Sequence, residues 1–91
     1  MVILNGKVEQ RIRQGVTIYV THLSVDEICQ DDTPNVNFIG FCIQNNLLEY
    51  DEETKTYHPN KMLIVDLDYS KDKEKNKRVE DMFRKYDIDC L

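Results

Sequence analysis

Ninety-one residues, 41% apolar and 32% charged with only three Gly and two Pro, describe one globular domain over 1–91 and not a linker or a low-complexity tract. The longest apolar runs, such as Met62-Leu63-Ile64-Val65, fall far short of the ~20 residues a membrane span needs, and the first residues lack the basic-then-apolar order of a secretory leader. Three irregularly spaced cysteines, Cys29, Cys42 and Cys90, argue against a disulfide framework and for a reducing, cytoplasmic setting, and within a net charge of −5 the acidic middle, residues 25–70, would repel a phosphate backbone unless it faces away from it.

At the start of the chain, Asn5 and Gly6 form a tight-turn signal, because both tolerate positive φ. Residues 7–13 set Val8 and Ile12 against Lys7, Glu9, Arg11 and Arg13, which fits a short edge strand or one or two helical turns. Gln14 and Gly15 punctuate either version. Residues 16–21 alternate Val16, Ile18 and Val20 with Thr17, Tyr19 and Thr21, the composition of a half-buried strand.

Ser24, with Glu27 three residues on, is a capping-box pattern and predicts a short helix over 25–30 that ends at Asp31 and Asp32. Thr33 and Pro34 then read as an N-cap and a first helical residue. Val36, Ile39, Gly40 and Ile43 follow at helical spacing, while Phe38, Phe41 and Cys42 fall on other faces, so this helix is expected to be buried nearly all round. A buried strand over 36–43 competes with it. The cap at one end and Asn45-Asn46 at the other favour the helix.

Residues 47–50 and 56–58 read as a hairpin around a polar loop, with Asp51 placed for an Asx turn. Residues 61–69 form the clearest strand, Leu63, Val65, Leu67 and Tyr69 facing the core and Met62, Ile64, Asp66 and Asp68 facing away. Ser70 is expected to cap a terminal helix whose stripe is Val79, Met82, Phe83, Tyr86 and Cys90. Glu74–Arg78, Glu80–Arg84 and Asp81–Lys85 are acid-first i,i+4 pairs, each stabilising by about 0.2–0.5 kcal/mol. Residues 71–77 hold no apolar side chain and are expected to project into solvent or against a partner. The resulting fold class is α+β: a small, mostly antiparallel sheet, two internal helices and a C-terminal amphipathic helix.

The segment 23–59 resembles part of a winged helix-turn-helix domain. Leu23-Ser24-Val25-Asp26-Glu27-Ile28 looks like the opening of that fold's second helix, 34–45 like its recognition helix, and Leu47–Asp51 with Thr56-Tyr57-His58 like the wing. The resemblance implies DNA binding, with Asn35, Asn37, Gln44 and Asn45 reading base edges and Lys55 on the wing touching phosphate. Two departures stand against it. Residues 16–21 read as strand where the fold has its first helix, and 34–45 contain no Lys or Arg to anchor phosphates.

Other chemistries find less in the residues. Asp66 and Asp68 share one strand face about 7 Å apart, but no third ligand is fixed beside them, and Glu53-Thr54-Lys55 matches only the loose Glu-x-Lys element of a nuclease core. His22, His58 and the cysteines show no zinc spacing and no Cys–His pairing that marks a nucleophile. No Gly-rich phosphate loop is present and no cofactor or metal is implied.

The charge distribution is more telling. Residues 25–70 carry ten acids against Lys55 and Lys61 alone. Asp26, Asp31 and Asp32, with Glu49, Asp51, Glu52 and Glu53, suit a docking face for a protein partner with a basic surface. The reading that follows is a non-catalytic binding or regulatory protein, of which an inhibitor mimicking nucleic acid is one form. By analogy of fold and size, an origin in a virus or mobile element is expected, where small acidic proteins of this kind are common. A DNA-binding regulator is the alternative, and either form leaves room for a homo-oligomer.

Overall fold

A short basic ribbon opens the domain. In the computed structural model, which describes residues 2–90, β1 (Val8–Arg13) pairs antiparallel with β2 (Val16–Ser24). The two residues between them, Gln14 and Gly15, both take positive φ (51° and 79°), the turn whose twist matches a right-twisted ribbon. Residues 7–13 are therefore strand and not helix. The tight turn expected at Asn5-Gly6 does not form, since Gly15 is the one glycine at positive φ among the described residues. Gly6 instead allows close approach: a Cβ there would lie 2.6 Å from Leu23 Cδ2 and 3.0 Å from the His22 carbonyl oxygen.

After β2 come α1 (Val25–Ile28), a 3-10 turn (Gln30–Asp32), α2 (Pro34–Gln44), the hairpin β3 (Leu48–Asp51) and β4 (Thr56–Pro59), then β5 (Leu63–Asp68), α3 (Lys73–Lys85) and β6 (Asp89–Cys90). The larger sheet has the order β1-β2-β5-β6. The α+β class stands as read, but the sheet is mixed: β2–β5 and β5–β6 are parallel where antiparallel pairing was expected. The reason is the connections. Helices intervene between β2 and β5 and between β5 and β6, so the chain crosses over before each return.

Thr21, Leu23, Leu63, Val65 and Leu67 share one face of this sheet and are buried. Val25 and Ile28 of α1, Phe38 and Phe41 of α2, and Val79 and Phe83 of α3 complete the cluster on that side. Phe38 and Phe83 meet with ring centroids 4.8 Å apart, which joins the two longer helices. Alternate residues of the same strands, Ile18, Val20 and Ile64, are only half-buried, and His22 and Asp66 are exposed. No helix among the described residues is long and apolar enough to cross a membrane.

Several local expectations are corrected. α2 is not buried all round. Its core face is Asn37, Phe38, Phe41 and Cys42, whereas Val36 and Ile43 of the expected stripe are 50% and 60% exposed. Two phenylalanines offer more apolar area than the aliphatic stripe and take the inward side. Ser24 makes no side-chain cap bond to α1, and the 3-10 turn holds Asp31 and Asp32 at positive φ. Asp72, not Ser70, is the N-cap of α3 and accepts from the Glu74 amide at 3.0 Å. Cys90 does not continue the helical stripe, because α3 ends at Lys85.

Both longer helices stop in the same way. Asn46 and Asp87 adopt positive φ (56° and 60°). The next amide reaches back to a carbonyl five residues earlier, Leu47 to Cys42 at 2.8 Å and Ile88 to Phe83 at 2.9 Å. This is the Schellman arrangement, and its trailing apolar residue, Leu47 or Ile88, is buried in the core.

Candidate partner-docking site

The acids singled out by charge divide into two groups with different fates. Asp26, Asp31 and Asp32 lie around α1 and the 3-10 turn. There the start of α3 folds back on them instead of projecting. Ser70 Oγ donates to Asp26 at 2.6 Å, and Lys75 Nζ stands 3.9 Å from the same carboxylate. Arg78 reaches Asp32 at 2.8 Å. Asn76 clasps Ser70 by accepting from its amide and donating to its carbonyl, both at 2.8 Å. The expected i,i+4 pairs do not form: Arg78 is spent on Asp32, and Arg84 turns to Asp81 at 3.5 Å. Of this group, Asp31 alone has no cationic partner among the described residues.

The second group, Glu49, Asp51, Glu52 and Glu53, stays together on the β3–β4 hairpin. Register places Glu49 opposite His58 and Asp51 opposite Thr56 on one face. Tyr50 lies opposite Tyr57 on the other face. The Asp51 carboxylate accepts from the Glu53 amide at 2.9 Å, which fixes the turn as the Asx pattern predicts. That amide holds the Asp51 carboxyl below its usual range, aided by His58 and Thr54 against the desolvation that opposes it. His58 Nε2 is 3.5 Å from Asp51. Together with Lys61, these groups border a shallow concavity of about 410 Å³. Glu49, Glu52 and Glu53 have no ion-pair partner among the described residues.

Tyr50 and Tyr57 are site residues that charge counting missed. They are 51% and 67% exposed and pack edge to face with centroids 5.0 Å apart. The signal was present as two tyrosines mirrored about a polar turn. Leu48 and Pro59, one pair further down the same face, sink towards the core and tether the hairpin.

The base-reading set does not assemble. Asn37 is fully buried. Its Nδ2 donates to the Ile28 and Gln30 carbonyls at 3.0 and 2.9 Å, and its Oδ1 accepts from the Val2 amide at 2.9 Å, so it reads no base. Asn45 returns its amide to the Phe41 carbonyl at 2.9 Å. Asn35 and Gln44 are exposed on α2, and Lys55 sits in the hairpin turn at positive φ. After β2 the chain runs α1, α2 and the hairpin. The element before α1 is β2, a central strand, where the winged-helix fold has a helix.

Two of the three thiols, Cys29 and Cys42, are buried, and Cys90 is exposed. Burial pushes the Cys42 thiol up to about 12, and it raises Cys29 and Cys90 as well. Among the described residues no three His, Cys, Asp or Glu side chains gather to hold a metal. Asp66 lies beside His22 at 3.4 Å on the exposed face of the sheet, and Glu53-Thr54-Lys55 is the tip of the hairpin. Comparison with protein-family models, with curated proteins and with solved structures returned no match.

Proposed function

We propose that this chain is a non-catalytic binding protein that docks, in a reducing compartment, on a protein partner with a basic surface, and that the β3–β4 hairpin is its principal contact. One observation carries the reading: unpaired carboxylates and an exposed tyrosine pair sit back to back on one tethered hairpin. Lys and Arg side chains of a partner would find charge on one face and π-faces for cation–π contact on the other. The Asp26–Asp32 group is secondary, because α3 already neutralises much of it.

The test is fluorescence anisotropy with a labelled Lys/Arg-rich peptide at low salt. Binding is expected for the native protein and should weaken as salt rises. The quadruple variant Glu49→Lys, Asp51→Asn, Glu52→Lys, Glu53→Lys keeps the turn acceptor at position 51 and should lose at least about tenfold in affinity. Equal binding by the variant refutes the hairpin. The DNA-binding alternative is read in the same assay with random duplex. Salt-sensitive duplex binding alongside an inert peptide would replace the present reading.

A further inference from the structure

The face of the larger sheet turned away from the helices has no partner within the chain. Register sets Val20 of β2 beside Ile64 of β5, with Ile18 two residues earlier on β2. Val16 at one end of β2 is 46% exposed, and Met62 just ahead of β5 is 45% exposed. The parallel pair β2–β5 is covered by helices on one face only. A band of β-branched side chains is thus left without cover along the middle of this face.

Charge on this face is divided by strand. Arg11 and Arg13 of β1 lie opposite Ile18 and Val16 and, with Lys7, make one margin basic. Asp68 of β5 and Asp89 of β6 make the other margin acidic, and Asp66, inboard of them, stands 3.4 Å from His22. Glu9 lies within the basic margin, bound to Arg11 at 2.7 Å.

We infer that this face binds a second copy of the chain, sheet against sheet, about a two-fold axis parallel to the strands. Such an axis keeps strand direction and reverses strand order. The basic margin of one copy then lies over the acidic margin of the other, twice by symmetry, and the apolar bands meet at the centre. A two-fold axis across the strands would set basic on basic and is rejected on charge. A uniformly charged partner would be attracted by one margin and repelled by the other.

Strands of 6, 9, 6 and 2 residues, at about 3.3 Å per residue and about 4.8 Å spacing, offer roughly 370 Å² in projection. That is about half of the ~800 Å² per partner in a standard interface, which places the dimer among weak, reversible associations. The surface is separate from the β3–β4 hairpin, and its test does not depend on a heterologous partner.

Sedimentation equilibrium over about 10 µM to 1 mM at low salt should show a monomer–dimer equilibrium. Two reversed variants divide the face: Lys7→Glu/Arg11→Glu/Arg13→Glu and Asp66→Lys/Asp68→Lys/Asp89→Lys. Each alone should self-associate at least about tenfold more weakly, and their equimolar mixture should form heterodimers tighter than the native pair. A native protein that stays monomeric at 1 mM, variants that dimerise undiminished, or a mixture that stays monomeric each overturns the inference. If a variant fails to fold, amide shifts of the native protein on dilution decide. Changes centred on Val16, Ile18, Val20 and Ile64 support the face, and changes confined elsewhere refute it.

Discussion

Replacing Asn37 by Ala should unfold more of this protein than any other single polar change. The side chain is fully buried and makes three hydrogen bonds, to the Ile28 carbonyl, the Gln30 carbonyl and the Val2 amide. It ties the N-terminal segment, α1 and the 3-10 turn to α2. Each net bond is worth about 0.5–1.5 kcal/mol, and stranded buried partners cost more, so Asn37→Ala should lose about 2–4 kcal/mol. A domain of this length is expected to hold about 5–14 kcal/mol in total. Urea titration followed by circular dichroism reads the loss directly. At a slope near 1 kcal/mol per molar, the midpoint should fall by about 2–4 M. Asn37→Asp should be worse at neutral pH, since it sets a carboxylate against two carbonyls, and should partly recover on acidification when the group can donate again. A loss below about 1 kcal/mol for Asn37→Ala would show that water reaches these groups and would refute the account of α1–α2 docking.

Gly6→Ala drives a Cβ against Leu23 and the His22 backbone, and thermal melting should report a loss of about 1–3 kcal/mol. In a timed reaction of the native protein with a thiol reagent at pH 8, Cys90, the exposed thiol, should react first, with Cys29 and Cys42 following only on unfolding. Because burial raises Cys42 to about 12, its neutral thiol favours the fold below the ordinary thiol range. That contribution fades as pH climbs through 9 towards 12, and Cys42→Ala should remove this part of the alkaline slope in a pH series of urea midpoints. Asp51 is shifted the other way, so its contribution is present above the usual carboxyl range and is lost as pH falls through the lowered value. The protection of the Glu53 amide, its exchange rate set against the unstructured rate at the same pH, should therefore fall on acidification, and Asp51→Ala should reproduce this at neutral pH while Asp51→Asn should not.

What was legible in the chain was local. Alternation marked β2 and β5, the Pro34 start and the Asn45-Asn46 stop bounded α2, and Asp51 marked its own turn. What was not legible came from tertiary choice. The aliphatic stripe of α2 met the helical period as well as the phenylalanine side did, and only packing against Phe83 decides between them. Residues 71–77 carry no apolar side chain and look unattached by composition. Ion pairs and the Ser70–Asn76 clasp, all distant in sequence, hold them down. Asn37 reads as a surface amide in any pattern, because its partners are backbone groups that no sequence displays. Parallel pairing was hidden for a similar reason: alternation gives a strand its faces but not its neighbour or direction. Within the candidate site the acids were visible by counting. The cancellation of Asp26 and Asp32 and the pairing of Tyr50 with Tyr57 required the fold.

The parallel junction between β2 and β5 also sets an order of events during folding. All of α1, α2 and the β3–β4 hairpin separate the two strands, so the entropy of closing that long loop is lost before any hydrogen bond between them forms. The β1–β2 ribbon, closed by a two-residue turn, can form early and alone. Until β5 arrives, the inner edge of β2 is an open template beside a band of Val and Ile, the kind of edge on which nascent chains cross-pair. Arg11, Arg13 and Lys7 along the neighbouring strand are then gatekeepers, holding copies of the unfinished ribbon apart until the crossover is complete.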